Sequence, residues 1–349
     1  LESVPSLAGR SPEGHTVNPS TPEPDSIDSL SWPLRKSPRR HLGFPSAHMV
    51  GARGCHASCS YCCVSALASR RREAARKAGG STLAGTRRRS PSNVAAEMAS
   101  LYHDNGVRIF EFQDDNWIPP VPRVAIEYFE ELKRELDALA VGKFGFTVKL
   151  RADAVTDEIL PMLKDLGLVR VFVGIESGTQ NLLSKLGRKM TESASSRALQ
   201  TLRDHGIPAY FNVLLFGPDL SFDEIEPEFD FLERNADFPF EIVEVVIYGR
   251  TALYNRLESE GRLTGNYLAY DYTYSDFRLA RTHGIAQSIE TRHFGVYSPA
   301  KMAADLGFNL GILRVFYPGS TTESIANDVE KITRRIGIDQ IQVLRGAMQ

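Results

Sequence analysis

The chain has 349 residues, 43 acidic against 41 basic side chains and a formal net charge of -2. That length allows one barrel-sized domain or two ordinary ones, and the near balance of charge excludes a global pull toward nucleic acid or an anionic membrane surface. No apolar run approaches the roughly 20 residues that span a bilayer, and the N-terminus lacks a charged-then-apolar signal pattern, so a cytoplasmic protein without a membrane partner is expected.

Residues 1–44 are rich in Ser and Pro, as in Pro19-Ser20-Thr21-Pro22-Glu23-Pro24, and read as a linker whose most apolar part is Ile27 to Pro33. From about residue 47, short apolar runs, turns and amphipathic helices alternate, the pattern of a parallel sheet. The first expected strand, His48 to Ala52, delivers Gly54-Cys55-His56-Ala57-Ser58-Cys59-Ser60-Tyr61-Cys62-Cys63, which holds all four cysteines of the chain. A polar basic loop follows between Arg70 and Arg89, with Arg70-Arg71-Arg72, Arg76-Lys77, Gly79-Gly80 and Arg87-Arg88-Arg89. Such runs are usually solvated; a phosphate-bearing substrate or an acidic partner domain is the functional alternative.

Ser90-Pro91 marks a helix start, with Val94, Met98 and Leu101 on the apolar face and Asn105-Gly106 at the end. The next strands are expected at Val107 to Phe112, running into Gln113-Asp114-Asp115-Asn116, at Phe144 to Leu150 before Arg151, and at Val169 to Val173 before Gly174-Ile175-Glu176-Ser177-Gly178. Two more follow at Ala209 to Phe216 and Ile242 to Ile247, the last ending in Tyr248-Gly249-Arg250-Thr251. Leu132, Leu136 and Leu139 mark one intervening helix, Ile159, Leu163 and Leu166 another closed by Gly167, and 192–204 a third. Ser221 and Glu224 form a capping-box pattern. Beyond about residue 265, Tyr267, Tyr270, Tyr272 and Tyr274 are expected to pack over the open side of the sheet. A final helix is expected to start at a Ser320…Glu323 cap and to face inward with Ile325, Val329, Ile332 and Ile336.

Six βα units in series predict an α/β fold: a partial (β/α)6 barrel over 45–265 with a mostly helical C-terminal extension over 266–349. Residues just beyond parallel strands gather on one rim of such a barrel. Cys55 to Cys62, Asp114, Asp115, Arg151, Glu176, Ser177, Asn212, Tyr248 and Arg250 are therefore expected to converge.

Three thiolates spaced C-x3-C-x2-C can hold three irons of one cubane cluster, leaving the fourth iron open to a small molecule. Zinc is the rival, yet a closed zinc site wants four ligands, usually two separated Cys/His pairs, and the chain has no second cysteine pair. A structural disulfide is a poor fit to clustered thiols in a chain without a secretory signal. Cys63 is expected to be a spectator, because Cys62 already takes the iron-facing direction.

The cysteine spacing, the acidic end of the second strand and Gly174-Ile175-Glu176-Ser177-Gly178 together resemble the radical S-adenosylmethionine (radical SAM) enzymes over about residues 47–260. The resemblance implies a [4Fe-4S] cluster on Cys55, Cys59 and Cys62, with SAM on the open iron. One electron, from a donor such as flavodoxin or ferredoxin, then cleaves SAM to a 5'-deoxyadenosyl radical that abstracts hydrogen from an unactivated carbon. It places Tyr61 at the adenine and Gln113, Asp114 and Asp115 at the methionine amino group, in a form that departs from the commoner Gly-Gly-Glu. Glu176 and Ser177 fall at the ribose hydroxyls or the methionine carboxylate region, with Arg151 as a carboxylate partner.

Asp28-Ser29-Leu30-Ser31-Trp32-Pro33, Arg53-Gly54-Cys55, Arg89-Ser90-Pro91, Tyr248-Gly249-Arg250-Thr251 and Glu260-Gly261-Arg262 resemble members that carry an N-terminal cobalamin-binding domain. That domain's D-x-H-x-x-G signature is absent, since Asp204-His205-Gly206 does not fit it. Either the domain preceded Leu1, or this relative works without cobalamin. The expected activity is C-methyl transfer to a small-molecule natural product or a peptide. A cobalamin-independent dehydratase, epimerase or cyclase is the alternative. An RNA-binding or RNA-modifying iron-sulfur protein is a third reading, prompted by the arginine-rich loop, although related methylthiotransferases carry a second cysteine set that this chain lacks.

Overall fold

A computed structural model describes residues 8–11, 14–18, 26–77, 86–293 and 298–349. The chain forms two compact units, Leu1–Pro33 and Leu34–Gln349. In the first, strand Ala8–Ser11 pairs antiparallel with Gly14–Val17, and Ser26 caps a 3-10 turn, Ile27–Ser29. The Pro-rich run Pro19 to Pro24 lies outside the described residues.

The second unit is built on six parallel strands that neighbour one another in chain order: Phe44–Met49, Ile109–Phe112, Gly145–Arg151, Leu168–Glu176, Ala209–Phe216 and Phe240–Glu244. Sequential order with a helical crossover after each strand gives a singly wound, curled half-barrel, as expected. The linker expected over 1–44 stops short of its C-terminal limit. Arg39–His41 adds an antiparallel edge strand to Phe44–Met49, because Leu42 and Gly43 take φ of 47° and 86°, the left-handed pair that a two-residue hairpin needs. The first strand accordingly lies four residues earlier than the apolar run suggests, and the fourth runs on through Glu176.

Alternation sorts the sheet's two faces. Phe110, Phe112, Phe146, Val148, Leu150, Val171, Val173 and Phe211 point outward into one continuous core beneath the helices. Helix Pro91–Asp104 opens on its expected cap, with Ser90 accepting from the Asn93 amide. In Pro122–Ala138 Leu132 and Leu136 are buried but Leu139 is exposed, since the helix has already ended. Glu111, Thr147, Lys149, Arg151, Arg170, Phe172, Glu176, Tyr210 and Asn212 occupy the opposite, concave face. The floor of that concavity is a small separate core of Ile109, Val169, Phe308 and Ile312.

Phe308 and Ile312 belong to helix Pro299–Phe316, which approaches so closely that a Cβ on Gly311 would fall 2.0 Å from the Val169 carbonyl oxygen. The last helix, Ser320–Met348, turns a different face inward from the one its isoleucines suggest. Ala326, Thr333, Gly337, Ile341 and Leu344 are buried, whereas Ile325 and Ile332 are 39 % and 47 % exposed. Small side chains decide this: at Gly337 the helix backbone lies against Phe240 and Ala236. The expected Ser320 cap is not made, and Glu323 instead pairs with Arg314 at 2.9 Å.

Much of the expected basic loop is helix Cys63–Lys77, and residues 78–85 lie outside the described residues. Beyond them, Thr86–Arg88 pairs with Ala52–Gly54. Arg88 donates to the carbonyls of Trp117 and Ile118 at 2.8 and 3.2 Å, and buried Arg89 donates to Val50 O at 3.0 Å and pairs with Glu97. These arginines hold the cysteine strand in place. Tyr272 is buried at the end of the fifth strand, donating to Phe216 O at 3.1 Å, while Tyr267 is exposed. Tyr274 Oη and His283 Nδ1 share a hydrogen bond of 2.7 Å, and His283 stacks on Phe216.

Candidate active site

The cysteine loop is tied down at several points along its length. Before it, the Asp114 carboxylate accepts the Gly51 amide at 3.0 and 3.1 Å from its two oxygens and takes the Ala52 amide as well. Asp115 accepts from the Gly54 amide at 3.3 Å. Within it, the amide and hydroxyl of Ser60 both donate to Leu186 O, at 3.1 and 2.7 Å, and Ser60 O accepts the Leu253 amide at 2.9 Å. Gly187, at φ 62°, lets that turn come within van der Waals reach of Ser60. Burial pushes the Asp114 carboxyl up to about 6, against the pull of the two amides.

Cys59 is buried, while Cys55, Cys62 and Cys63 are partly exposed, and all four are free thiols. Arg188 joins this loop to the fourth strand. Its Nη1 reaches Cys59 Sγ at 3.7 Å, Tyr61 Oη at 3.5 Å and Glu176 Oε1 at 3.4 Å, and its Nη2 donates to the Gly174 carbonyl. Glu176 Oε2 in turn accepts from Asn212 Nδ2 at 3.2 Å. Burial opposes the Arg188 charge, but Glu176, Tyr61 and Cys59 outweigh it and hold the guanidinium firmly protonated. Burial raises the Glu176 carboxyl, with Arg188 and Asn212 pulling the other way. Glu176 sits at φ 68°, a left-handed conformation that is costly for a side-chain-bearing residue and that gathers at functional sites. Arg151, buried on the third strand, is clamped by Asp153 at 2.7 and 2.9 Å.

A family model described as the radical SAM superfamily matches residues 49–232, rather more than half of the chain. The chain belongs to the radical SAM superfamily. It is 25 % identical over 193 residues to an uncharacterized methyltransferase of Pyrococcus horikoshii, covering 55 % of this chain and 38 % of that protein. It is 28 % identical over 214 residues to the anaerobic magnesium-protoporphyrin IX monomethyl ester cyclase of Rubrivivax gelatinosus, covering 58 % and 34 %. The chain thus spans little more than a third of the length of the curated relatives it matches. Among solved structures it is similar to OxsB, a cobalamin-dependent SAM radical enzyme with aqua-cobalamin bound, at TM-score 0.64 and 15 % identity over 100 % of this chain and 60 % of that one. It is also similar to the radical SAM methyltransferase TsrM of Kitasatospora setae, at TM-score 0.55 and 18 % identity over 76 % and 52 %. These likenesses show the fold.

The residues present suit the cofactors of the superfamily. Three spaced thiols suit a cluster that offers one iron to each better than a single zinc. Asn212 Oδ1 and Arg188 Nε are buried beside Glu176 with no partner, polar atoms that a bound hydroxyl or carboxylate would satisfy.

The expected site residues divide accordingly. Cys55, Cys59, Cys62, Tyr61, Arg151, Glu176 and Asn212 share the rim, and Gln113 and Asp115 are exposed at the end of the second strand. Asp114 is turned into the fold and spent on backbone amides. Ser177 also stands apart: its hydroxyl donates to Glu228 at 2.5 Å, and Glu228 takes the Gly178 amide at 2.8 Å as well, so Ser177 fixes the turn from behind. Tyr248 and Arg250 are exposed, and their segment serves to present Thr251, which caps helix Ala252–Ser259. Arg188 was not legible from motif spacing. Its one sequence signal is a charged residue directly after Gly187, on a turn that the strand pattern leaves unassigned.

Proposed function

We propose that the half-barrel within residues 34–349 is the catalytic core of an enzyme that uses SAM and a [4Fe-4S] cluster to start radical chemistry on a substrate carbon. The observation that carries this reading is the Arg188 bridge, which joins the cysteine loop to Glu176 on the rim of the half-barrel. A bound cluster and SAM would supply, with one electron from an external reductant, cleavage of a C–S bond of SAM and hydrogen abstraction from the substrate. Cys55, Cys59 and Cys62 are the cluster ligands. Arg188 and Arg151 provide positive charge for the methionine carboxylate, and Gln113 and Asp115 provide acceptors for its ammonium. Glu176 and Asn212 present an acceptor and a free amide oxygen to ribose hydroxyls, with Tyr61 beside the adenine. Asp114 and Ser177 position the loops that carry these groups.

For the finer activity we read methyl transfer to carbon, associated with cobalamin. The motifs resemble those of cobalamin-dependent members, and OxsB and TsrM are described as a cobalamin-dependent enzyme and a methyltransferase. The similarity to an anaerobic cyclase supports a second reading, ring closure without methyl transfer.

Anaerobic reconstitution, followed by SAM and dithionite, separates these. 5'-Deoxyadenosine that disappears in Cys59→Ala is the result expected for radical chemistry. S-Adenosylhomocysteine beside it favours methyl transfer, and its absence favours the cyclase type. Neither product, from protein with a full complement of iron and sulfide, would overturn the reading.

A further inference from the structure

The third strand carries Lys149 two residues before Arg151, so both side chains leave the sheet on the concave face, roughly 6.6 Å apart along the strand. Phe146, Val148 and Leu150, the residues of opposite parity, all lie in the outer core. Lys149 is half-buried, and among the described residues it makes no hydrogen bond and no ion pair.

The other charges of this face are answered. Arg151 is held by Asp153, Arg188 by Glu176, and Glu111 by His41 and His48 at 3.3 and 3.6 Å. Arg170 lies between the rings of Tyr210 and Phe308, at 4.4 and 4.7 Å, and donates to Ala304 O at 2.8 Å, with Glu111, Glu241 and Asp305 near enough to act on its charge. Its Nε is buried without an acceptor.

An unanswered ammonium half-removed from water costs free energy, and folding gains nothing visible from it. Lysines are often kept on exposed edge strands to block unwanted pairing. That explanation fails here, because the third strand is flanked on both sides by the second and the fourth. The neighbours of Lys149 on this face are aromatic. Its register partner on the fourth strand is Phe172, whose ring lies 4.8 Å from that of Tyr210 on the fifth. Cation, apolar wall and a floor of Arg170 and Phe308 thus lie directly below the Arg151 and Glu176 layer.

We propose that this part of the concave face is the substrate subsite, and that Lys149 there binds an anionic group, a carboxylate or a phosphate, of a substrate whose adjoining apolar part rests against Phe172. This rests on the radical SAM reading of the rim above it. It narrows the substrate class to anions and makes Lys149 a specificity-determining residue.

Benzoate and phenyl phosphate are the probes, with benzyl alcohol as the uncharged control, titrated into the reconstituted full chain. Binding is followed by calorimetry and by protection of Lys149 from acetylation, read by mass spectrometry. At least one anion is expected to protect Lys149, to bind Lys149→Met at least about tenfold more weakly, and to bind Lys149→Arg within about threefold of wild type. Benzoate acting alone assigns a carboxylate; phenyl phosphate acting alone assigns a phosphate. If neither anion protects Lys149, or benzyl alcohol binds as well as they do, the subsite is refuted on wild-type protein alone, whatever the fate of the variants. The same wild-type preparation, given SAM and dithionite, reports separately on the rim. 5'-Deoxyadenosine without anion binding removes the subsite and leaves the radical reading standing, whereas no 5'-deoxyadenosine removes the reading itself.

Discussion

Arg188 Nη1 lies 3.4 Å from Glu176 Oε1, and with side chains only 5 % and 13 % exposed, neither charge has water enough to stand alone. The pair connects the cysteine loop to a strand more than a hundred residues away in sequence, since the same guanidinium nitrogen reaches Cys59 Sγ. Breaking one partner of a buried pair leaves an uncompensated charge, at a cost of about 3–5 kcal/mol. Arg188→Met should therefore be the most destabilising single change on the rim. Arg188→Met/Glu176→Gln should recover part of the loss, because the stranded carboxylate is gone. Urea unfolding of the two singles and the double measures the coupling, and strictly additive losses would contradict it.

Removal of the proposed cluster ligands separates three cysteines from the fourth. After anaerobic reconstitution, iron and sulfide content should fall by more than half in Cys55→Ala, Cys59→Ala and Cys62→Ala. Cys63→Ser should keep its cluster and its SAM cleavage. Cys63 is the first residue of helix Cys63–Lys77, beyond the loop proper, so a cluster lost from Cys63→Ser would show that the loop is assigned one residue out.

Strand order and rim were legible in the sequence because period-two apolar runs and the turns after them are local signals. The fifth strand, Ala209–Phe216, and helix Glu192–Asp204 match their expected limits. What escaped was set by contacts distant in sequence. Arg188 matters only because the loop around Ser60 folds onto Leu186. The last helix misled because Ile325 and Ile332 look like a core face, whereas close approach favoured the side bearing Ala326 and Gly337. Asp114 and Ser177 carry the right chemistry at the right strand ends, yet Asp114 faces two backbone amides and Ser177 faces Glu228.

The Asp114 carboxyl makes stability depend on pH in a direction opposite to that of most surface acids. Burial raises its pKa from an ordinary 3.8 to about 6. The native state therefore holds a proton that the unfolded chain has released, and stability falls as pH rises from about 4 to 6, then levels off. The shift corresponds to at most about 3 kcal/mol. Asp114→Asn removes this titration, so the stability of wild type relative to the variant should decline across that window. A difference that is flat, or that grows with pH, would mean that the Gly51 and Ala52 amides hold Asp114 ionised in the fold.

The turn that presents Glu176 admits no side chain at its far end. A Cβ on Gly178 would fall 2.0 Å from Cγ of buried Phe231, on the helix that also carries Glu228. Gly178→Ala must push that helix outward or drag the turn inward, and overpacking of this kind costs about 1–3 kcal/mol. If the helix gives way, only stability suffers. If the turn moves, Glu176 two residues earlier moves with it, and SAM affinity falls along with stability. The strained φ of Glu176 and the hydrogen bonds from Ser177 and the Gly178 amide to Glu228 bind turn and helix together, so both losses are expected. Phe231→Leu, by opening space against the new methyl, should restore much of the stability and the SAM binding together. Equilibrium dialysis with labelled SAM beside urea unfolding reads the two effects, and recovery of stability without recovery of binding would show that Glu176 is positioned by something other than this turn.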